Sequence, residues 1–202
     1  MAITNGYCTL AEIRQELDFA SGDTTDDTYI EGIIEGVSRW IDGWTKRRFF
    51  AVSETRYYSV EYAESIDVDD LLSVTTLKTD PNQDRTYSDT WETTDYDLLP
   101  LNSAADGWPY TEIVKTLNGE YTFPIGTKTV EIVGSFGFCA LADVPYNVYR
   151  AAFLATLRLY KRDDTPLGLA GAGGVGTQAV NIPSLASDPD IIALLQEYRK
   201  LR

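Results

Sequence analysis

Between Ile30 and Trp44 the apolar residues Ile30, Ile33, Ile34, Val37, Trp40, Ile41 and Trp44 recur at steps of three and four. That spacing puts them on one side of a 3.6-residue-per-turn helix, so the stretch must fold as a helix with one buried face. Asp26 and Asp27 stand where the helix dipole favours negative charge, and Lys46, Arg47 and Arg48 where it favours positive charge. A shorter helix precedes it. Thr9-Leu-Ala-Glu12 has capping-box spacing, and Ile13 and Leu17 carry an apolar stripe to about Phe19. The polar run Ser21–Asp26 reads as the loop between the two.

From about Thr55 to Phe138 the period changes to short alternating runs broken by Asn, Asp, Gly and Pro, which is how strands and hairpins read. Tyr58, Val60 and Tyr62 share one face of one run, and Leu72 and Val74 one face of another. Asn118-Gly119 is expected to form a two-residue hairpin turn between Ile113–Leu117 and Glu120–Phe123, since both residues tolerate positive φ. Val130, Ile132, Phe136 and Phe138 mark a last strand near Gly134. These strands look short and their apolar residues sparse, so the block reads as a β-rich insertion between helices.

A helix resumes at Asp143, a plausible cap, with Pro145 in its first turn. Val148, Ala152, Ala155 and Leu159 form one stripe, and Tyr149, Phe153, Leu154 and Leu157 widen it, as in a central helix packed on more than one side. Asp163–Gln178 is rich in glycine, Ala179–Leu185 is a short extended run, and Asp188-Pro189 opens a last helix carrying Ile191, Ile192, Leu194, Leu195, Tyr198 and Leu201. The expected fold is therefore α+β and mainly an α-helical bundle, with a β-rich insertion between helix 2 and the long helix 3. An extended C-terminal tail ends in a short helix. The parts divide as 1–54, an N-terminal helical part; 55–142, the insertion; 143–164, the central helix; and 165–202, a glycine-rich arm and helix, all within one domain.

Charge limits the chemistry. The 202 residues carry 17 basic and 31 acidic groups, a formal net charge of −14, which disfavours any partner gripped by covering phosphates with Lys and Arg. Residues 55–142 hold 5 basic and 15 acidic groups, whereas 143–202 hold 7 and 6, so the two regions are expected to face different surroundings. Histidine is absent, which removes the commonest general base and histidine-ligated metal sites. Cys8 and Cys139 lack a CxxC neighbour, so neither a disulfide framework nor a zinc ribbon is suggested. Neither an export signal nor a membrane span is expected, because the first residues lack a basic region before an apolar stretch and no apolar run approaches the roughly 18 residues a bilayer needs.

Three constellations invite a chemical reading, and each has a plainer one. Gly171-Ala-Gly173-Gly174-Val-Gly176 matches G-x-G-x-x-G, but an expected helix precedes it and an extended run follows, the reverse of a dinucleotide site, so it reads as a loop that orders on a partner. Asp80-Pro-Asn82-Gln-Asp84 opens like a calcium loop, yet Arg85 stands at the position that needs glycine, and an Asx-rich turn is the better account. Asp67, Asp69 and Asp70 could hold magnesium, but three carboxylates at a strand boundary are more often solvated. No catalytic residue, cofactor or metal is expected. The basic clusters Lys46-Arg47-Arg48 and Arg158, Lys161 and Arg162 suit helix C-termini, or else docking to an acidic surface.

The order of several segments resembles the head-tail connector (adaptor, or head completion) proteins of long-tailed bacteriophages. Tyr7-Cys-Thr-Leu-Ala-Glu-Ile is followed by Asp26-Asp27-Thr-Tyr-Ile, Val37-Ser-Arg-Trp-Ile-Asp42 and Arg47-Arg48-Phe49, similar to the start of that family. Asp95-Tyr96-Asp-Leu-Leu-Pro100 with Gly107-Trp108-Pro109 is similar to its strand insertion, and Val144-Pro145 through Leu159-Tyr160-Lys-Arg162 to Gly168 is similar to its last long helix and tail. The resemblance implies a structural virion protein rather than an enzyme. Such proteins form a homo-oligomeric ring of about twelve subunits by heterologous contacts, bind the portal protein, and let genomic double-stranded DNA pass through without specific binding. A stopper or tail-completion protein is the partner on the tail side, and is also the alternative identity. The implied place is the virion neck, after assembly in the bacterial host cytoplasm, with no membrane partner. The implied portal or neighbour interface comprises Arg158, Lys161, Arg162, Leu167, Leu169, Val175, Val180, Ile182 and Leu185. Asp67, Asp69 and Asp70 are candidates to face the channel, where carboxylates would repel phosphate and let DNA slide.

Overall fold

The structure, a computed structural model, describes residues 3–163, 169–170, 180–181 and 184–200. In chain order the elements are α1 (Leu10–Glu16), α2 (Asp27–Thr45), β1 (Val52–Val60), β2 (Ser65–Thr79), β3 (Asp89–Trp91), β4 (Tyr96–Leu99), α3 (Ser103–Asp106), β5 (Tyr110–Lys115), β6 (Gly126–Phe136), α4 (Tyr146–Asp163), β7 (Leu169–Ala170), β8 (Val180–Asn181) and α5 (Pro189–Leu195). They fall into two compact units, Met1–Arg47 with Val144–Arg202, and Arg48–Asp143. No helix among the described residues is long and apolar enough to cross a membrane.

The first unit follows the helical periodicity. Thr9 and Glu12 close the capping box of α1, and Ile13 is fully buried. In α2 the buried face is Ile30, Ile34, Val37, Ser38, Ile41 and Thr45. Its two hydroxyls are satisfied locally, Ser38 donating to the Ile34 carbonyl at 2.7 Å and Thr45 to that of Ile41 at 2.8 Å, so a polar side chain inside costs little. Lys46 then adopts a left-handed φ of 59° and stops the helix. α4 buries Val148, Ala151, Ala152, Phe153, Ala155, Thr156 and Leu157, and this nearly all-round burial makes it the central helix, packed against α2 and α5. Ile191, Leu195 and Tyr198 are the buried side of the last helical segment. Leu169 pairs with Asn181 and Ala170 with Val180 in a two-stranded antiparallel ladder. The Gly171–Gly176 motif and Leu201 lie outside the described residues.

The second unit overturns the expectation of a mainly helical bundle. Its core is a six-stranded antiparallel sheet in the order β1-β6-β2-β5-β4, with β3 also on β2, and the chain as a whole is 36% helix and 28% strand. The strands are also longer than their sequence suggested, β2 running for 15 residues and β6 for 11. The reason is bulging. Register shifts between Asp67 and Leu71, Leu71 and Ser73, and Val74 and Thr76 switch the buried side of β2, so Ile66 and Val68 point inward in one parity and Leu71 and Leu77 in the other. A two-residue alternation cannot survive three such shifts, and a single long strand reads as short broken runs. The bend is a topological need as well. β1 and β2 run parallel on either side of β6, yet only Glu61–Glu64 joins them, far too few residues for an ordinary parallel crossover; β2 therefore bends back so that Ser65 meets Tyr62.

Val60, Ile66, Val68, Leu71, Leu77, Trp91, Tyr96, Ile113, Phe123, Val130, Ile132 and Phe136 make a single cluster, with Trp91 and Phe123 stacked at 4.4 Å between ring centres. Leu71 is fully buried, whereas Leu72 and Val74 are half-buried. The expected turn is displaced by one residue, to Leu117-Asn118, with Gly119 donating its N–H to the Thr116 carbonyl at 3.2 Å, and Glu120–Phe123 is not a strand: the chain leaves β5, and Phe123 donates its N–H to the Ala63 carbonyl at 3.1 Å. Gly119 is required for a different reason from positive φ, since a Cβ there would lie 2.8 Å from the Asp95 carbonyl oxygen. The Asp80–Asp84 segment is an Asp-organised turn: the buried Asp80 carboxylate accepts the N–H groups of Asp84 at 3.3 Å and Arg85 at 2.7 Å, and Asp84 makes an Asx turn by accepting the Thr86 N–H at 2.8 Å.

Candidate functional site

Arg158 lies in the last two turns of α4, which ends at Asp163. Its guanidinium pairs with Asp188 and, at 2.6 Å, with Asp190. Asp188 is only 2% exposed and has two tasks, because its carboxylate also caps α5 by accepting the N–H groups of Asp190 at 3.2 Å and Ile191 at 3.4 Å. The hydrogen bond that Arg158 donates to Asp190, opposed by partial burial and joined by the Asp188 contact, holds the arginine further toward its charged form. Arg158 thus ties the start of the last helix to the central one. Leu185, half-buried in the 3₁₀ turn just before Asp188, is brought to the same place. One turn further along α4, Lys161 is exposed and Arg162 half-buried, and Tyr160 between the two clusters donates its hydroxyl to Asp26 at 2.6 Å.

Of the remaining interface candidates, Leu167, Val175 and Ile182 lie outside the described residues, and Leu169 and Val180 are placed only as members of β7 and β8. The other basic cluster is used within each unit: Arg47 donates to the Tyr198 carbonyl at 2.7 Å, and Arg48 to Glu54 at 2.9 Å and to the Phe136 carbonyl at 2.8 Å.

The acidic candidates occupy the bent half of β2. Asp67 and Asp69 are exposed on one side, while Asp70 is 6% exposed and its carbonyl accepts the Gly137 N–H at 2.8 Å. Asp69 is bound to Arg56 at 2.5 Å, and Arg56 in turn to Glu54 and to the face of Phe136, 4.6 Å from the ring centre. Burial works against the Glu54 carboxylate, but its bonds from Arg48 and Arg56 outweigh it and hold the group below the usual range. Burial, with the Asp69 charge beside it, pushes the Tyr58 hydroxyl up to about 12. Among the described residues no group of three acidic or cysteine side chains is placed to hold a metal ion. A recess of about 200 Å³ lined by Ser59, Glu61, Tyr62, Ser65, Ile66 and Asp67 opens beside the β1–β2 turn, smaller than the roughly 300–1,000 Å³ of small-molecule sites.

Sequence reading missed the partnership of Arg158 with Asp188. The Asp-Pro helix start was visible, but nothing local signals a cation 30 residues away. It also missed Asp26 as the partner of Tyr160.

These features sit on a fold already seen in assembled particles. The chain aligns over its full length with 94% of a chain from the neck of an empty gene transfer agent particle computed with C6 symmetry, at a TM-score of 0.61 and 19% identity. It aligns as fully with a chain of the virion of a native gene transfer agent particle, at 0.58 and 18%, and with one from a native particle neck computed with C12 symmetry, at 0.57 and 18%. The fold is shared end to end. No protein-family model matches the sequence, and no curated protein matches it at a significant level.

Proposed function

We propose that this chain is a structural neck protein of a phage-like particle, a head-tail connector that forms a ring of about twelve copies under the portal. The observation that carries the reading is the fold match, which spans the whole chain and nearly the whole of a neck protein, including both the helical unit and the sheet. The C6 and C12 symmetries of those necks support a cyclic assembly of identical subunits. The order of segments from Tyr7 to Gly168 supports the connector assignment within the neck.

In this reading α4 and the segment that follows it supply the contact with portal or neighbour. In sequence, Arg158, Lys161 and Arg162 precede that segment on α4, Leu167, Leu169, Val175, Val180 and Ile182 fall within it, and Leu185 closes it. Asp67 and Asp69 are the carboxylates offered to the passing DNA, while Asp70, being buried, acts in the fold instead. A channel wall of this sign repels phosphate, so the genome slides without being held. The protein works as a mechanical and electrostatic conduit and carries out no reaction.

The test is co-sedimentation of the purified chain with DNA-filled, tailless heads that expose their portal, with bound copies counted per head. Saturation near a dozen copies, competed by free portal, is the expected result. Binding only to heads already fitted with a connector would move the protein to the stopper or tail-completion position, and no binding to either would sink the neck assignment.

A further inference from the structure

Large apolar side chains at turns are normally covered or absent, because turn positions favour small and polar residues. Around the β1–β2 turn three are exposed together: Tyr62 at 71%, Leu117 at 101% and Ile125 at 59%. Backbone bonds hold their three segments side by side. Lys115, at the end of β5, donates to the Glu64 carbonyl at 2.9 Å, Phe123 donates to that of Ala63 at 3.1 Å, and Gly126 pairs with Val60. The exposure is therefore not a loose loop end; these side chains stand on a platform fixed by the sheet.

The charge around the platform has a sign. Glu61, Glu64 and Glu120 are exposed beside Tyr62 and Leu117, and the cation among them, Lys115, is already paired with Glu64 at 3.3 Å. On the Ile125 side, Lys128 sits over the Tyr57 ring at 4.2 Å and Arg85 donates to the Thr127 and Lys128 carbonyls, so both cations are engaged within the unit. A surface that presents apolar tips inside an acidic margin fits a partner with an apolar seat edged by Lys or Arg. It does not fit DNA, whose phosphates the carboxylates would repel.

We infer that this platform docks the protein on the tail side of the connector, through a partner surface that carries basic side chains around an apolar seat. The inference rests on the connector reading, in which a tail-side component has to be held, and on the acidic margin of the platform, which a basic seat complements. Leu117 and Tyr62 act as the anchors, and Glu61, Glu64 and Glu120 orient the encounter.

The experiment uses full-length chain carrying Leu117→Ser with Tyr62→Ala, added to tailless heads and then to purified tails. A second variant, Glu61→Lys with Glu120→Lys, changes only exposed charges, leaves the Glu64–Lys115 pair intact and guards against misfolding of the first. Copies bound per head should match the unaltered chain within about twofold, while tail attachment falls by about tenfold or more for both variants, the loss expected when central anchors or steering charges are removed. Normal tail attachment would overturn the inference. So would loss of head binding in step with tail attachment, which would put the platform on the portal side. If the unaltered chain itself fails to bind heads, it is the connector reading that falls, and the two failures are told apart by that control.

Discussion

Replacing Asp188 with alanine should open the last helix while the rest of its unit stays folded. The carboxylate it removes is 2% exposed, accepts two N–H groups at the start of α5 and pairs with Arg158. Loss of an N-cap acceptor costs about 1 kcal/mol. Removing one member of a fully buried ion pair costs roughly 3–5 kcal/mol. Arg158, however, is 34% exposed and keeps Asp190, so water and the second carboxylate leave only about 1 kcal/mol of that. Together these come to about 2 kcal/mol, or roughly a 30-fold larger open population of the helix. Native-state hydrogen exchange of the Ile191–Tyr198 amides reads that population directly. Asp188→Asn keeps an acceptor for the cap and loses the charge, so its effect should be about half as large in free energy. A rise of less than about threefold for the alanine variant would refute the reasoning, and so would an asparagine variant as severe as alanine, which would leave the cap no part in the stability.

Further predictions follow from single features. Gly137 has φ +145° and a Cβ there would lie 2.3 Å from the Phe50 carbonyl oxygen, so Gly137→Ala should lower the stability of the sheet unit by about 2 kcal/mol or more in urea unfolding, and an unchanged midpoint would refute the clash. Burial pushes the thiols of Cys8 and Cys139 up to about 11 and about 12, so both should react with iodoacetamide at pH 8 at least about tenfold more slowly than after unfolding. Because the folded values lie above the unfolded one, these thiols favour the folded state less and less as pH rises from about 9 toward 11, and the melting temperature should fall over that range. Deleting Leu167–Leu185 should abolish head attachment while the circular dichroism of the helices persists; attachment by the truncated chain would contradict the interface assignment. Asp67→Lys should slow DNA ejection from completed particles, and an unchanged ejection rate would count against the repelling channel.

The helices could be read from the chain because their determinants are local. The Ile30–Ile41 stripe, the Thr9–Glu12 capping box and the Asp188-Pro189 start each lie within a turn or two of the residues they organise. The strands of the second unit could be located roughly, but the length of β2 and the extent of the sheet could not, because their determinants are distant. The bulges of β2 are set by its partners β5 and β6, and they erase the alternation by which a strand announces itself. Four polar residues, Ser65, Asp67, Asp69 and Asp70, also sit in the first half of that strand, where the long element looked like a charged loop. For the site, the basic residues of α4 could be named from the sequence, but Asp188 as the partner of Arg158 could not, nor could the burial of Asp70 beside two exposed aspartates. The platform of Tyr62, Leu117 and Ile125 was hidden for a different reason. Apolar residues in strand-rich sequence are expected to face a core, and only the turn geometry shows that these do not.

Many copies of this chain are proposed to close into a ring between capsid and tail. Electron cryomicroscopy of tailless heads saturated with the purified protein, reconstructed at the portal vertex without imposed symmetry, tests this most directly. The expected result is a closed ring of about twelve copies seated against the portal around an open channel. Density elsewhere on the capsid, or single copies that do not close, would contradict it.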